Sequence, residues 1–385
     1  MLRNYLAIRW GKMASVLFID GVLPSFPHPE RGWRVLRILK AIAEAGHRVV
    51  YLLLQGERYE IYRPVFEEAG IEFMVEKGAR ICRQGPVKCR VVGLDQLVQE
   101  VPFHLACIHF AANALACIPV IRRHSPRTRI AVDTVDLAHI RLWREALVTG
   151  RQEKVVEAYR HWEMETAVFR QADAVIAVTP LEAKMISRLA PGVKTVVIPV
   201  IADAWPQVNP FSSRQGLLYV GNFFHPPNAD AVFYLVYHIW PHLQKALPGV
   251  DLYIVGHNPP REIRDRAADG IKVTGYVPSL APYFEQCRLM VAPIRYGAGI
   301  KTKIVEAMAA GLPVVTTSMG AEGMGLQPGE NVLVADDPVS FSRAVATLYQ
   351  NQSLWERLSQ KGREHVRRYY SFPVVAPAIY SLLSS

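Results

Sequence analysis

Between Arg295 and Thr317 the sequence reads RYGAGIKTKIVEAMAAGLPVVTT, and this run gathers residue types able to do chemistry. Gly297 and Gly299 lack a Cβ, so backbone there can turn sharply and come close to a ligand. A helix opening near Lys301 to Ile304 offers unpaired N–H groups and a positive dipole end to an anion. Lys301 and Lys303 add full charges at that junction. Glu306 stands three residues past Lys303, inside an apolar stretch of Ile304, Val305, Ala307 and Met308. A carboxylate in such a place needs partners, and two readings are open. It pairs with Lys303 on the same helix, or it accepts from the two hydroxyls of a ribose. Gly311 is expected at the helix C′ position and Pro313 stops continuation, so 313–317 reads as a buried strand. The run as a whole suits a phosphorylated ligand that also carries hydroxyls.

The elements that must position this run alternate in type. Short apolar stretches read as strands at 15–20, 48–54, 71–75, 105–108, 130–133, 174–178 and 193–199. Helical patterns lie between them, at 33–45, 60–69 and 155–170 among others. Pro199, Pro206 and Pro210 then punctuate a weakly patterned segment that ends at Arg214. A second strand–helix series follows, with strands at 216–220, 251–255, 272–274, 289–293, 313–317 and 331–334. Helices at 340–369 and a kink at Tyr370-Ser371-Phe372-Pro373 lead to a last apolar helix. The pattern predicts an α/β chain with a first domain at 1–200, a linker at 201–214, a second domain at 215–370 and a terminal helix at 371–385.

Bulk composition narrows the partners. A chain of 385 residues, half hydrophobic and a fifth charged, is long enough for two globular domains. It contains no apolar run of 18 residues, so no membrane span is expected. Residues 1–12 are basic and read as a poor signal peptide, with Met13 as an alternative start. Cys82, Cys89, Cys107, Cys117 and Cys287 are scattered without a C-x-x-C pair, which argues against a disulfide framework or a zinc site and for a reducing cytosol. The net charge of +10 is densest at Arg122, Arg123, His124, Arg127 and Arg129, and again from Arg363 to Arg368. Neither patch interleaves with aromatics as a single-strand nucleic-acid platform would, so no nucleic-acid partner is expected. A peripheral contact with the inner face of a membrane stays open.

With these pieces placed, the chain resembles the GT-B glycosyltransferases, and most of all glycosyltransferase family 4, the retaining "group 1" family. The resemblance covers nearly the whole chain and is strongest from Leu217-Leu218-Tyr219-Val220-Gly221-Asn222 through Val273-Thr274-Gly275-Tyr276-Val277 to the Glu306 helix, and the kinked last helix fits it too. It implies two Rossmann-like domains facing a central cleft, with a nucleoside-diphosphate sugar (UDP- or GDP-linked) on the second and an acceptor on the first. Carried over by position, Glu306 would bond the ribose, while Gly299, Ile300 and Lys301 would hold the diphosphate, with Lys303 adding charge and Gly297 also on the donor side. Gly275, Tyr276 and Val277 would lie beside the base, recognising it largely through backbone, with Gly221 and Asn222 in the neighbouring loop. The first loop, Gly21-Val22-Leu23-Pro24-Ser25 on to Gly32 and Arg34, would face the reacting sugar and phosphates. His109 would lie near the donor sugar as a catalytic residue together with Lys301 and Glu306, or else be a satisfied core histidine. Asp136 and Arg141 are acceptor-site candidates at a strand's carboxyl end, Asp136 being equally suited to cap its helix.

Two departures stand out. The family's paired-glutamate motif has its first Glu eight residues before Glu306, and here that residue is Ala298. The loop after Gly221 carries no lysine, and Asn228 within it is expected to cap the next helix. The expected reaction moves the sugar to a carbohydrate or lipid-linked hydroxyl with retention, in cell-surface glycan or glycolipid synthesis. No metal or other cofactor is expected, since preorganised N–H groups and lysines can stabilise the leaving diphosphate. Competing readings are a dinucleotide oxidoreductase, which lacks its G-x-G-x-x-G, and a P-loop ATPase, which Ile300 contradicts. A GT-B epimerase and a non-catalytic nucleotide-binding protein also remain.

Overall fold

The structure, a computed structural model, describes residues 13–21, 30–55, 59–77, 90–268 and 270–384. The sequence expectations on residues 1–12, on Val22 to Ser25, and on Cys82 and Cys89 lie outside the described residues. The chain forms two compact units, the first from Met1–His139, Glu157–Pro199 and Val375–Ser385, the second from Ile140–Val156 and Val200–Val374.

The first unit is built on eight strands: β1 (Ser15–Asp20), β2 (Arg48–Leu53), β3 (Glu72–Glu76), β4 (Arg90–Val92), β5 (Leu105–His109), β6 (Arg129–Asp133), β7 (Ala174–Ala177) and β8 (Lys194–Val197). They lie in the order β4-β3-β2-β1-β5-β6-β7-β8, every pair parallel. Helices cover both faces of such a sheet, which explains why strands such as Val16–Ile19 and Val49–Leu53 are apolar at every position and buried throughout. Strand order reverses between β1 and β5, so Asp20 and His109 end adjacent strands at the switch point. The final segment Val375–Ser385 joins this unit. There Arg129 Nη1 donates to Leu382 O at 3.1 Å and Lys194 Nζ to Ser381 O at 3.3 Å.

The second unit carries β9 (Leu217–Val220), β10 (Leu252–Val255), β11 (Ile271–Gly275), β12 (Leu289–Ala292), β13 (Val314–Thr316) and β14 (Leu333–Val334). Their order is β11-β10-β9-β12-β13-β14, again parallel, with the switch point between β9 and β12. Gly311 ends the Thr302–Ala309 helix at φ +70°, with its N–H on Met308 O and the Leu312 N–H on Ala307 O, the C′ role its sequence position calls for.

Three boundaries differ from the sequence expectation, the first being that the terminal segment joins the first unit from Val375 and not from 371. The Pro-rich stretch before Arg214 is no free linker: Trp205 N donates to Ala309 O at 2.8 Å and Ala202 N to Tyr370 O at 2.9 Å. Arg214 is buried, giving hydrogen bonds to the carbonyls of Asn209, Phe284 and Cys287. And Ile140–Val156, placed by sequence in the first domain, belongs to the second unit. Among the described residues no helix is long and apolar enough to cross a membrane.

Candidate functional site

Open parallel sheets bind ligands at the carboxyl ends of the strands flanking the switch point. In the second unit those ends lead, from β9, into Gly221-Asn222 and, from β12, into the run from Arg295 to Lys301. Arg295 anchors the entry to this run by a two-pronged pairing with Asp230, while its guanidinium lies 5.0 Å over the Tyr234 ring. Tyr296 is buried, and that burial, with Glu145 and Asp230 nearby, pushes its phenol up, so it stays protonated. Gly299 takes φ +68°, a conformation open to glycine at little cost, and turns the chain into Lys301. The helix spans Thr302–Ala309 with Lys301 as N-cap and no side-chain capping bond. Its first N–H groups are thereby left for backbone, water or an anion.

Lys301 and Lys303 are only 7% and 4% exposed. Buried ammonium groups need acceptors. Lys301 Nζ donates to Gly299 O at 3.0 Å, bracing the glycine turn from within. Lys303 Nζ donates to Asn228 Oδ1 at 2.6 Å and stands 5.0 Å from the Tyr219 ring centroid. Asn228 therefore does not cap a helix: it sits inside the Pro226–Tyr234 helix, whose N-cap is His225, and its Nδ2 donates to Asn222 O at 2.9 Å. Glu306 is half-buried on the same helix as Lys303. Gly297, Ala298 and Ile300 complete the loop.

Sequence reasoning missed the residue that fixes this loop from outside. Arg144, on the Ala138–Thr149 helix, donates from Nη1 to Gly297 O at 2.8 Å. The same guanidinium holds Glu322 by two bonds of 2.7 and 2.8 Å. No short-range pattern links residues 144, 297 and 322; the only available signal was that Arg144 lies three residues after Arg141 on one helix.

Gly221, Asn222, Gly275, Tyr276 and Val277 come together at the ends of β9, β10 and β11. Gly256 N donates to Gly275 O and Gly221 N to Val255 O. A Cβ on Gly256 would fall 1.8 Å from Gly221 O, so these loops meet backbone to backbone. Val277 is buried in the core while Tyr276 faces outward.

In the first unit the switch point holds a buried charged cluster. His109 Nδ1 bonds Asp20 Oδ2 at 2.9 Å, and its Nε2 lies 3.9 Å from Asp133 Oδ2. Arg34 Nη1 pairs with that same Asp133 oxygen at 2.6 Å, and its Nε and Nη2 donate to Ile198 O. Arg34, expected to face phosphates, is thus committed to a carboxylate and a carbonyl inside its own unit. His109 is buried as well, with Nδ1 bonded to Asp20 and Nε2 beyond hydrogen-bond distance of Asp133. Gly21 abuts Asn113, whose Oδ1 would lie 2.5 Å from an added Cβ; Gly32 lies in the Glu30–Glu44 helix. Phe110 at φ 66° and Val135 at φ 63° are strained non-glycine residues just past β5 and β6, the kind of backbone that concentrates at functional sites. Asp136 follows in the first unit and Arg141 belongs to the second. The N–H groups of Leu137 and Ala138 are taken by Glu182 and Glu165.

Comparison with known proteins places this geometry. Residues 32–200 match the family model described as "Glycosyl transferase 4-like domain", and residues 214–351 the one described as "Glycosyl transferases group 1". The chain belongs to the group 1 glycosyltransferases. Its fold is GT-B: it superposes on sucrose-phosphate synthase from Thermosynechococcus elongatus with TM-score 0.71 and 15% identity, covering 96% of this chain and 98% of that one. It matches Anabaena HepE in complex with UDP and glucose at TM-score 0.68 and 14% identity, over 96% and 99% of the two chains. A phosphatidyl-myo-inositol mannosyltransferase of Mycobacterium leprae is 27% identical over 263 residues, 66% of this glycosyltransferase-family chain and 64% of that protein. The chain spans less than two thirds of the length of the curated relatives it matches.

Proposed function

We propose that this chain transfers a sugar from a nucleoside diphosphate to an acceptor hydroxyl with retention of anomeric configuration. The observation that carries the reading is the Gly299–Glu306 segment: a left-handed glycine turn, an uncapped helix N-terminus, two buried lysines and a carboxylate, at the switch point of a parallel sheet. In this reading the diphosphate lies on the N–H groups from Gly299 to Lys301, where the helix end and the lysines stabilise the charge that grows as the sugar departs. Lys303 contributes its field through a fixed position on Asn228. Glu306 accepts from the ribose hydroxyls. These groups meet the developing charge without a metal ion, and a departing phosphate oxygen can take the acceptor's proton, so no protein base is required. A hexose is the proposed unit transferred.

The acceptor side is read from relatives. One is named for phosphatidyl-myo-inositol, a phospholipid with an inositol headgroup, and the fold match HepE was captured with UDP and glucose. A glycolipid or polysaccharide acceptor, reached at a membrane surface, follows as the proposal, with Asp136 and Arg141 as the candidate contacts. The test is a donor screen with UDP- and GDP-sugars followed by NMR of the product. An α-linked product from an α-linked donor supports the reading, and an inverted product or free epimerised donor sinks it.

A further inference from the structure

We infer that Phe110 contacts the acceptor, its phenyl group receiving the non-polar C–H face of a sugar or cyclitol ring, an inference that rests on the transfer reading above. Phe110 directly follows β5, at the carboxyl end of a strand that borders the first unit's switch point. It takes φ 66° with ψ 138°, outside the small left-handed region open to residues other than glycine. A bulky aromatic in that backbone is strained, and glycine at the same place would relieve the strain. The ring is only half-buried, unlike Phe18 on the adjacent strand β1, which lies in the core. A half-exposed ring kept in strained backbone at a ligand-binding sheet end marks a use outside the core.

The surroundings hold this conformation from several sides. Phe110 N donates to Asp133 O at 2.8 Å, and Phe110 O accepts from Ala114 N at 3.1 Å. Asn113 Nδ2 donates to His109 O at 2.6 Å, and the His109 ring, tied to Asp20, lies 4.4 Å from the phenyl centroid at 42°. The neighbouring strand end repeats the pattern. After β6, Asp136 N donates to Thr134 O at 2.7 Å and closes a γ-turn on Val135 at φ 63°, the rare and strained form of that turn. Thr134 N and Oγ1 both donate to Ile176 O. The buried carboxylates of Glu182 and Glu165 accept from Leu137 N and Ala138 N. Two adjacent strand ends are therefore fixed in backbone that Phe and Val disfavour, and the bond from Phe110 N to Asp133 O joins them.

The same two strand ends carry an aromatic ring and, in Asp136, a carboxylate leaving the γ-turn. A polyol ring has a matching layout, with C–H groups on its face and hydroxyls around its rim. Binding sites for such ligands pair apolar or aromatic walls with a few fixed polar groups. The strained backbone then sets where the ring face lies relative to the hydroxyl that reacts.

The experiment is saturation-transfer NMR of the full chain with myo-inositol and methyl α-D-glucopyranoside, for the wild type and for Phe110→Ala, Phe110→Gly and Phe110→Tyr. Thermal melts and calorimetric titration with UDP, GDP, UDP-glucose and GDP-glucose accompany it. The wild type should bind a ring probe, roughly 3- to 10-fold more tightly than the alanine and glycine variants do. Phe110→Tyr should bind the probe like the wild type, and nucleotide affinities should stay within twofold throughout. Phe110→Gly should melt roughly 2–8 °C above Phe110→Ala, because only the backbone strain separates the two. A glycine variant no more stable than the alanine variant removes the strain and overturns the inference. So do probe affinities unmoved by both variants, or a wild type that binds nucleotide and neither probe. Loss of nucleotide-sugar affinity with free-nucleotide affinity intact would put the ring on the donor sugar and overturn the acceptor assignment. A wild type that binds no nucleotide and no probe overturns the transfer reading as well.

Discussion

Replacing Arg144 by alanine should loosen the glycine loop without touching a ligand. The guanidinium makes two bonds to Glu322 and one to Gly297 O, with side-chain exposures of 19% and 31% for the ion pair. Exposed pairs contribute about 0–1 kcal/mol, and breaking a buried pair costs about 3–5. This pair lies between those limits, so about 2 kcal/mol is expected for its loss. In a unit of this size that is a fall of roughly 4–8 °C in melting temperature. Binding should suffer separately. Freeing the Gly297 carbonyl leaves the turn to be ordered by the ligand, at about 1–2 kcal/mol per residue fixed, so nucleotide affinity should drop roughly 5- to 30-fold. The assay is differential scanning calorimetry beside UDP and GDP titration. Arg144→Lys should recover less than half of each loss, because an ammonium cannot span both Glu322 oxygens and the carbonyl. An Arg144→Ala/Glu322→Ala double variant should show clear coupling. Unchanged melting and unchanged affinity in Arg144→Ala, or strictly additive single effects, would refute the clamp.

Three further outcomes follow from the same coordinates. Asp133→Ala should cost the first unit about 3–5 kcal/mol, measured by urea denaturation, because it strands the buried Arg34 guanidinium; a loss under about 1 kcal/mol would remove the cluster's structural role. Gly311→Ala should destabilise well beyond the 1–2 kcal/mol of a left-handed alanine, since the added Cβ would meet Val208 Cγ2 at 2.6 Å. Gly249→Ala, at φ +78° with nothing within 4 Å, should show only the conformational part, and equal effects at the two sites would contradict the packing argument. Burial lowers the pKa of His47, whose Nδ1 accepts from the Ala14 N–H, and of His365. The folded state thus binds protons less readily than the unfolded chain. Their contribution is full above the ordinary histidine value of about 6.5 and is lost as pH falls through and below it. Melting temperature should decline from pH 7.5 to 5, less steeply in His47→Asn, and an identical slope in that variant would exclude His47.

The strand–helix order was legible because each parallel strand is an uninterrupted apolar run between turn residues; β1 falls on the expected residues 15–20. The glycine turn, the lysines and Gly311 were legible because helix ends obey local rules, and all lie within one short run. The same locality explains the misses. Asn228 looked like a cap because its neighbours allow it, yet its side chain answers Lys303, 75 positions away. Arg34 carried a polar type suited to a ligand, but its partners Asp133 and Ile198 are distant in sequence and engage it inside the first unit. The Ile140–Val156 segment belongs to the second unit, where its Arg144 bonds a carbonyl and a carboxylate more than 150 residues on. Residue type announces what a side chain can do; only the fold decides which partner it meets.

The proposed donor site depends on Glu306 binding a ribose beside the N-terminus of the Thr302–Ala309 helix. Titrating the wild type and Glu306→Ala with UDP, GDP and their 2′,3′-dideoxy counterparts tests it directly. The variant should bind the ribonucleotides at least tenfold more weakly, as expected for loss of hydrogen bonds to a charged group. The wild type's preference for ribo- over dideoxy-nucleotides should disappear in the variant. Equal ribonucleotide affinity in the two proteins, or a ribose preference that survives the substitution, would contradict it.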